Sequence, residues 1–140
     1  MLELGSGTGL GGICISKLLE TYYPDLEREV TLTDICLKSL EVLHNNLSHN
    51  GNLSRPELVK TKELAWGLQS CPDWAEPTSF DLIIASDVVY LPECVELLIQ
   101  SVSHLLKPGS GRGLFVNCML RTEPYLIPIE EKCAELGLTV

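Results

Sequence analysis

Three glycines at alternate positions, Gly5, Gly7 and Gly9, form the first group of residues with chemical potential. Met1 to Leu4 resembles the end of a buried strand, and a helical pattern begins at Leu10. Glycine lets a backbone turn tightly and approach a ligand closely. The amides of a helix N-terminus favour an anionic group. The strand, loop and helix together predict a nucleotide-type cofactor site, although a plain tight turn would also use such glycines.

The spacing of these glycines separates two classes of cofactor. The dinucleotide fingerprint G-x-G-x-x-G, counted from Gly5, places its third glycine at position 10, where this chain has Leu10. In a dehydrogenase the anion at this loop is a pyrophosphate, and in a methyltransferase it is the carboxylate of a methionine moiety. The observed spacing therefore disfavours a nicotinamide dinucleotide.

An acidic residue, Asp34, ends the second predicted strand. A carboxylate at this position can accept hydrogen bonds from two ribose hydroxyls, which suits any adenosine-containing cofactor. Asp34 also precedes a predicted helix, so helix capping is the alternative role. We favour the ribose role because the glycine loop lies upstream.

Charge and composition limit the classes of partner. The chain of 140 residues carries a net charge of −9, from 10 basic and 19 acidic residues, and shows no basic stripe of the kind that tracks phosphates. We therefore expect no nucleic-acid partner. The acidic surface favours basic protein partners, and the alternative is that the charge serves only to aid solubility. The short apolar runs predict no membrane partner, and the sequence gives no indication of the oligomeric state.

The cysteines and histidines predict no metal site. None of the six cysteines forms a C-x-x-C pair, and the three histidines do not cluster with them. No basic region followed by an apolar stretch marks a signal peptide. We therefore expect reduced thiols and a cytoplasmic location that can extend to the nucleus.

The predicted elements alternate between strands and helices. Residues 1–4 are predicted to be the end of a strand, and complete strands are predicted at 29–34, 58–64, 80–86 and 113–119. Helices are predicted at 10–22, 37–50, 92–106 and 129–136, and a further strand is predicted to start at Leu138. Such alternation predicts an α/β fold with a doubly wound, mostly parallel, Rossmann-like sheet. No interior linker divides the chain, so residues 1–140 are predicted to form a single domain.

With these motifs in place, the chain resembles the seven-β-strand protein-lysine methyltransferases of the methyltransferase-like group. The resemblance runs through nearly all of the chain and is carried by Leu2–Gly9, Leu32–Asp34, Lys62–Gly67 and Phe80–Tyr90. Many methyltransferases share the glycine loop. The Leu-x-Trp-Gly segment that ends at Gly67 and the Asp-x-x-Tyr segment that starts at Asp87 are more specific to this group.

The resemblance implies S-adenosyl-L-methionine as the cofactor and a class I methyltransferase fold. It also implies that Gly5, Ser6 and Gly7 contact the methionine end, and that Asp34 contacts the ribose. Trp66 would lie beside the adenine, where an indole offers a flat apolar face. A core tryptophan is the alternative. Ser86 falls where relatives often carry alanine, and its small size suits a close approach to the cofactor.

The resemblance assigns the acceptor side of the reaction to Asp87 and Tyr90. Asp87 follows the fourth strand, at the edge of a doubly wound sheet where ligands bind. Its carboxylate would hold and orient the substrate lysine, and Tyr90 would form a wall of the lysine channel. The alternative is an aspartate that caps the helix at Pro92, with Tyr90 used in packing.

Two departures from the family pattern are expected to matter. The segment that precedes the first strand in relatives is absent, and the chain stops where the sixth strand would begin. We therefore expect a fragment truncated at both ends, whose activity alone is not implied by the resemblance.

The leading hypothesis is a protein-lysine N-methyltransferase that acts on a non-histone protein, such as a chaperone or a translation factor. The alternatives are a methyltransferase for arginine, nucleic acid or small molecules, and an inactive truncated form that serves as an interaction module. Nucleobase amino methylation often uses Asn-Pro-Pro-Tyr after the fourth strand, and this chain has Ser86–Tyr90 there instead.

Overall fold

The structure is a computed structural model that describes residues 1–49, 53, 55–118 and 125–140. The chain divides into two compact units, Met1–Glu63 and Leu64–Val140. Each unit is described separately below. The assignment of residues 1–140 to a single domain stays a prediction.

The first unit alternates parallel strands with helices. Strand β2 lies between β1 and β3 and runs parallel to both. The elements of this unit are β1 (Leu2–Leu4), α1 (Leu10–Tyr22), β2 (Val30–Asp34), α2 (Leu37–His49) and β3 (Val59–Glu63), with a single 3₁₀ turn (Pro56–Leu58) before β3. The predicted bounds of α1 are confirmed, while β2 and β3 each begin one residue later than predicted. The predicted end of α2 at residue 50 lies outside the described residues.

The core of the first unit joins both helices to β2. Ile13 of α1 and Leu43 of α2 pack with Val30 and Leu32, and all four are buried. Leu10 and Leu18 of α1 are exposed, so apolar spacing alone does not mark the buried face of that helix. The same packing fixes the positions of the two loops that follow β1 and β2.

The second unit contains a parallel pair of strands. Strand β4 (Leu82–Ser86) pairs with β5 (Arg112–Val116), and the helices are α3 (Pro92–Leu105) and α4 (Leu126–Glu135). Among the described residues of this unit, helix α3 supplies more buried side chains than any other element. Five of its apolar residues are buried at helical spacing: Val95, Leu98, Ile99, Val102 and Leu105. The predicted helix at 92–106 is therefore confirmed to within one residue.

The last part of the chain differs from the prediction at two points. Helix α4 begins at Leu126 rather than Ile129, because Pro128 falls in the first turn, where a backbone N–H is not needed. The strand predicted from Leu138 is not formed. The Leu138 N–H instead donates to the Cys133 carbonyl oxygen at 2.8 Å, and this hydrogen bond closes the end of α4.

Strand β5 is also shorter than predicted. It ends at Val116, three positions before the predicted end at Met119, which lies outside the described residues. Among the described residues, no helix is long and apolar enough to cross a membrane.

Candidate functional site

The glycine loop connects β1 to α1 as predicted. Gly9 is the N-cap of α1 and has a φ of 88°, a left-handed conformation that favours glycine. A Cβ added to Gly9 would lie 2.0 Å from the Leu43 Cδ1 atom, so Gly9 is also required for packing. Gly7 has a φ of 54°, and a Cβ added there would meet no atom within 4 Å. The side of the loop at Gly7 is thus open to a ligand, whereas the side at Gly9 is filled by the core.

Ser6 ties the loop to the end of β2. Its N–H donates to the Thr33 carbonyl oxygen at 2.7 Å, and its Oγ accepts from the Thr33 N–H at 3.0 Å. The hydroxyl of Ser6 also donates to the Glu3 carbonyl oxygen at 3.3 Å. The side chain of Ser6 therefore holds β1 and β2 together, and the contact of Ser6 with a cofactor stays a prediction.

The Asp34 carboxylate joins the loop to the start of α2. Its Oδ2 accepts from the Gly7 N–H at 2.9 Å, and its Oδ1 accepts from the Cys36 N–H at 2.8 Å. Two ionised oxygens have about four acceptor positions, so these two bonds leave capacity for ribose hydroxyls. The contact with Cys36 fulfils part of the helix-start role, and the two roles considered for Asp34 are compatible.

A buried carboxyl that sequence reasoning missed lies beneath the loop. Glu3 is buried in β1, and its Oε2 accepts from the Gly12 N–H in the first turn of α1 at 3.1 Å. Burial raises the pKa of the Glu3 carboxyl, and hydrogen bonds from Ser6 and Gly12 oppose that change. The sequence signal for this role was a single acidic residue within an apolar strand.

In the second unit, Trp66 lies in the connection between β3 and α3. It is half-buried rather than enclosed, which argues against the alternative of a core tryptophan. Trp66 helps to line a cavity of about 490 Å³ with side chains of the next turn and of α3, including Leu97 and Gln100. The placement of Trp66 beside an adenine stays a prediction.

Gly67 fixes the backbone next to Trp66. Its φ is 101°, and a Cβ there would lie 2.9 Å from the Leu97 Cδ2 atom. The Gly67 N–H donates to the Ser101 Oγ at 2.8 Å, and that hydroxyl donates to the Leu97 carbonyl oxygen at 3.0 Å. Ser101 was not singled out from the sequence, because its role depends on the packing of α3 against this loop.

The segment Ser86–Tyr90 leaves the end of β4 in an unusual conformation. Asp87 has a φ of 57°, which few residues with a side chain adopt, although aspartate and asparagine do so more readily than most. Ser86, Asp87 and Tyr90 are exposed, whereas Val88 and Val89 are buried. The buried valines anchor the segment and present the polar residues to solvent.

The helix-capping alternative for Asp87 is wrong. The N-cap of α3 is Leu91, which makes no side-chain capping hydrogen bond, and Pro92 occupies the first turn. The Asp87 N–H donates to the Val116 carbonyl oxygen at 2.6 Å, so its backbone is held by β5. The acceptor-side role of Asp87 and Tyr90 stays a prediction.

Asn117, the residue after β5, is a further member of this region that sequence reasoning missed. Its Oδ1 accepts from the N–H groups of Val88 and Val89, at 3.2 Å and 3.4 Å. The strand pairing between β4 and β5 brings these residues together across 28 and 29 positions of the sequence. The described residues contain no group of three or more histidine, cysteine or acidic side chains that would hold a metal ion.

The family comparison decides the class of protein. A family model described as lysine methyltransferase matches residues 1–124. The chain belongs to this lysine methyltransferase family. The membership confirms the predicted resemblance, and with it the methyltransferase class.

Curated relatives give the same assignment. The chain is 32% identical to EEF1A lysine methyltransferase 3 of Xenopus tropicalis, over 88% of this chain and 48% of the relative. It is 34% identical to protein N-lysine methyltransferase METTL21A of Danio rerio, over 88% of this chain and 50% of the relative. The chain therefore spans about half the length of the curated relatives it matches.

A solved structure supports the fold class. A predicted O-methyltransferase of Agrobacterium tumefaciens is 18% identical, with a TM-score of 0.69, over 94% of this chain and 58% of that chain. At this identity the likeness concerns the fold alone. Together with the parallel strand pairs, it confirms the predicted α/β, Rossmann-like class.

Proposed function

We propose that this chain is part of an S-adenosyl-L-methionine-dependent protein-lysine N-methyltransferase that acts on a non-histone protein. The observation that carries the proposal is the loop of the first unit, in which the Gly7 N–H is bonded to the Asp34 carboxylate and the side of Gly7 where a Cβ would point is open. Membership of the lysine methyltransferase family specifies the reaction class that such a loop would serve.

The residues of the loop fit the proposed cofactor. The side of Gly7 where a Cβ would point has no atom within 4 Å, so a ligand can approach the backbone there. Asp34 retains acceptor positions for ribose hydroxyls after its two backbone contacts. We propose that Gly5, Ser6 and Gly7 hold the methionine end and that Asp34 holds the ribose. S-adenosyl-L-methionine, when bound, supplies a methyl group carried on a sulfonium sulfur.

The second unit supplies the residues proposed for the remaining roles. We propose that Trp66 contacts the adenine and that Ser86, because it is small, allows a close approach to the cofactor. Asp87 is proposed to hold the substrate lysine and Tyr90 to form a wall of its channel. Both side chains are exposed, as a role in substrate contact requires.

The reaction requires a neutral amine. The substrate lysine must lose its ammonium proton to water before its nitrogen could accept the methyl group that S-adenosyl-L-methionine would supply, which would leave S-adenosylhomocysteine as the other product. The main task of the protein is to position the amine and exclude water, because correct placement contributes a large part of such rate enhancements.

A protein substrate agrees with the charge and with the relatives. The chain carries a net charge of −9, which favours a basic surface on its partner. One relative is named for EEF1A and another as a protein N-lysine methyltransferase. We propose a protein of the chaperone or translation factor class as the substrate.

We also propose a cytoplasmic location that extends to the nucleus. Microscopy of the tagged protein tests the location.

The decisive experiment is incubation of the full-length protein with S-adenosyl-L-methionine labelled on the methyl group and a cell lysate. We expect label on lysine side chains of one or a few proteins, identified by mass spectrometry. The matched control is the Asp34→Asn variant, which should transfer less label. Label confined to arginine, nucleic acid or small molecules would contradict the proposal.

Cofactor choice is tested separately by calorimetry. We expect S-adenosylhomocysteine to bind and NAD not to bind. Binding of NAD without a response to S-adenosylhomocysteine would contradict the assignment of the glycine loop.

A further inference from the structure

Three successive N–H groups after β4 donate to the end of β5. The Asp87 N–H donates to the Val116 carbonyl oxygen at 2.6 Å. The N–H groups of Val88 and Val89 both donate to the Asn117 Oδ1, at 3.2 Å and 3.4 Å. A single side-chain oxygen therefore holds the turn that carries Asp87.

This turn needs such an acceptor. A left-handed φ of 57° at Asp87 is a strained conformation for a residue with a side chain, and it persists only where surrounding contacts stabilise it. Successive N–H groups that follow a left-handed residue form a concavity that binds an oxygen or an anion. The carboxamide oxygen of Asn117 fills that position. The two donors also fix the orientation of the amide, since its NH₂ group cannot accept a hydrogen bond.

The two contacts of Asn117 hold the backbone from which the exposed side chains extend. Val88 and Val89 are 4% and 1% exposed, whereas Tyr90 is 57% exposed, so the segment is anchored by the valines and displays its neighbours. A rotation of the two valine peptide groups would redirect both Asp87 and Tyr90. Such a rotation becomes accessible when the oxygen that holds the two N–H groups is removed.

We propose that Asn117 is a positioning residue for methyl transfer, which acts by holding the Asp87–Tyr90 turn in its productive direction. The proposal rests on the proposed function, because it assumes that this turn presents the acceptor-side residues. Asn117 itself is not assigned a contact with the cofactor or the substrate.

The test compares three substitutions in the full-length protein. Asn117→Leu matches the shape of asparagine and removes the acceptor, Asn117→Ala removes the side chain, and Asn117→Asp keeps an oxygen in the same place. Ser103→Ala is the matched control, because it removes a side-chain hydrogen bond of 3.4 Å to the Leu136 carbonyl oxygen in the same unit. The measurements are kcat and KM for the protein substrate, affinity for S-adenosylhomocysteine, and amide hydrogen exchange at Val88 and Val89.

We expect Asn117→Leu and Asn117→Ala to lower kcat by roughly 10-fold or more, since misplacement of reacting groups has effects of this size or larger. Affinity for S-adenosylhomocysteine should stay unchanged, and the two valine amides should exchange faster. Asn117→Asp should restore most of kcat and the slow exchange. Ser103→Ala should behave as wild type in all four measurements.

Two results would overturn the proposal. One is a wild-type kcat in a folded Asn117→Leu or Asn117→Ala variant, and the other is an Asn117→Asp variant as impaired as Asn117→Leu. If Asn117→Leu does not fold, Asn117→Ala and Asn117→Asp give the same comparison. A wild-type protein that methylates no lysine would contradict the proposed function itself, whereas an active wild type with fully active variants would contradict only the role of Asn117.

Discussion

The Gly7 N–H donates a hydrogen bond of 2.9 Å to the Asp34 Oδ2 atom. This bond connects two motifs that lie 27 positions apart in the sequence, the glycine loop after β1 and the acidic end of β2. It holds the open side of the loop and the proposed ribose acceptor at a fixed separation. The parallel pairing of β1 with β2 makes the contact possible, because it brings both strand ends to one edge.

Replacement of Asp34 by asparagine is expected to weaken cofactor binding. The amide oxygen still accepts from the Cys36 N–H, so the start of α2 is kept, but its NH₂ group would face the Gly7 N–H. Hydrogen bonds to a charged acceptor contribute about 1.5–3 kcal/mol, so affinity for S-adenosylhomocysteine should fall roughly 10- to 100-fold. Titration calorimetry measures the change. Asp25→Asn, at an exposed position of the same unit, is the control and should bind normally.

Alanine substitutions at Gly7 and Gly9 are expected to have different effects, on cofactor affinity at Gly7 and on stability at Gly9. In Gly9→Ala, the left-handed φ costs about 1–2 kcal/mol and the overlap with Leu43 costs about 1–3 kcal/mol. The free energy of unfolding should therefore be about 2–5 kcal/mol lower than that of the wild type. In Gly7→Ala only the first cost applies, but the new methyl group occupies the open side of the loop, and affinity for S-adenosylhomocysteine should fall. Urea denaturation and calorimetry on both variants separate the two effects.

Gly109→Ala measures the free-energy cost of placing alanine at a left-handed φ without any steric overlap. Gly109 has a φ of 75°, and an added Cβ would meet no atom within 4 Å. Equal losses of stability in Gly9→Ala and Gly109→Ala would show that the contact with Leu43 relaxes without penalty.

The buried Glu3 carboxyl is expected to make stability depend on pH in the direction opposite to a paired surface carboxylate. Its folded-state pKa is raised above the ordinary value of 4.5, chiefly by burial. As the pH rises from 4.5 to the raised pKa, the unfolded chain releases this proton before the folded chain does. The stability that Glu3 contributes is therefore present below that window and is lost as the pH rises through it.

Glu3→Gln tests this dependence, because glutamine keeps an acceptor for the Gly12 N–H and carries no charge. The free energy of unfolding of wild type minus that of the variant should decrease as the pH rises above 4.5. Urea denaturation of both proteins over a pH series measures the difference. A difference that stays constant with pH would contradict the burial of an ionisable Glu3.

The elements that could be predicted from the sequence are those fixed by local signals. Helix α1 has glycine before it and Pro24 after it, and its predicted bounds agree with the structure. The predicted start of α4 at Ile129 lies three residues after the observed start at Leu126, because Pro128 lies in the first turn of the helix. The prediction that Asp87 directly follows β4 is confirmed, but the left-handed φ of Asp87 has no local sequence signature.

The functional roles that could not be predicted depend on pairings between distant segments. The role of Asn117 follows from the register of β4 with β5, which aligns Ser86 with Val116. The burial of Glu3 follows from the position of α1 over β1, which places the Gly12 N–H on its carboxylate. Neither relationship is visible in spacing along the chain, because each needs the strand or helix position to be known first.

The last prediction concerns Asp87→Asn. Asparagine tolerates a left-handed φ as aspartate does, and the N-cap of α3 is Leu91, so neither the turn nor the helix should be disturbed. The change removes the negative charge that is proposed to hold the substrate lysine and keeps the shape of the side chain. We therefore expect unchanged unfolding free energy and cofactor affinity, with methyl transfer reduced by roughly 10²-fold. Asp73→Asn, an exposed aspartate of the same unit, is the control and should keep its rate. Initial rates on the identified substrate decide the matter, and a near-normal rate in Asp87→Asn would remove the acceptor-side role from this segment.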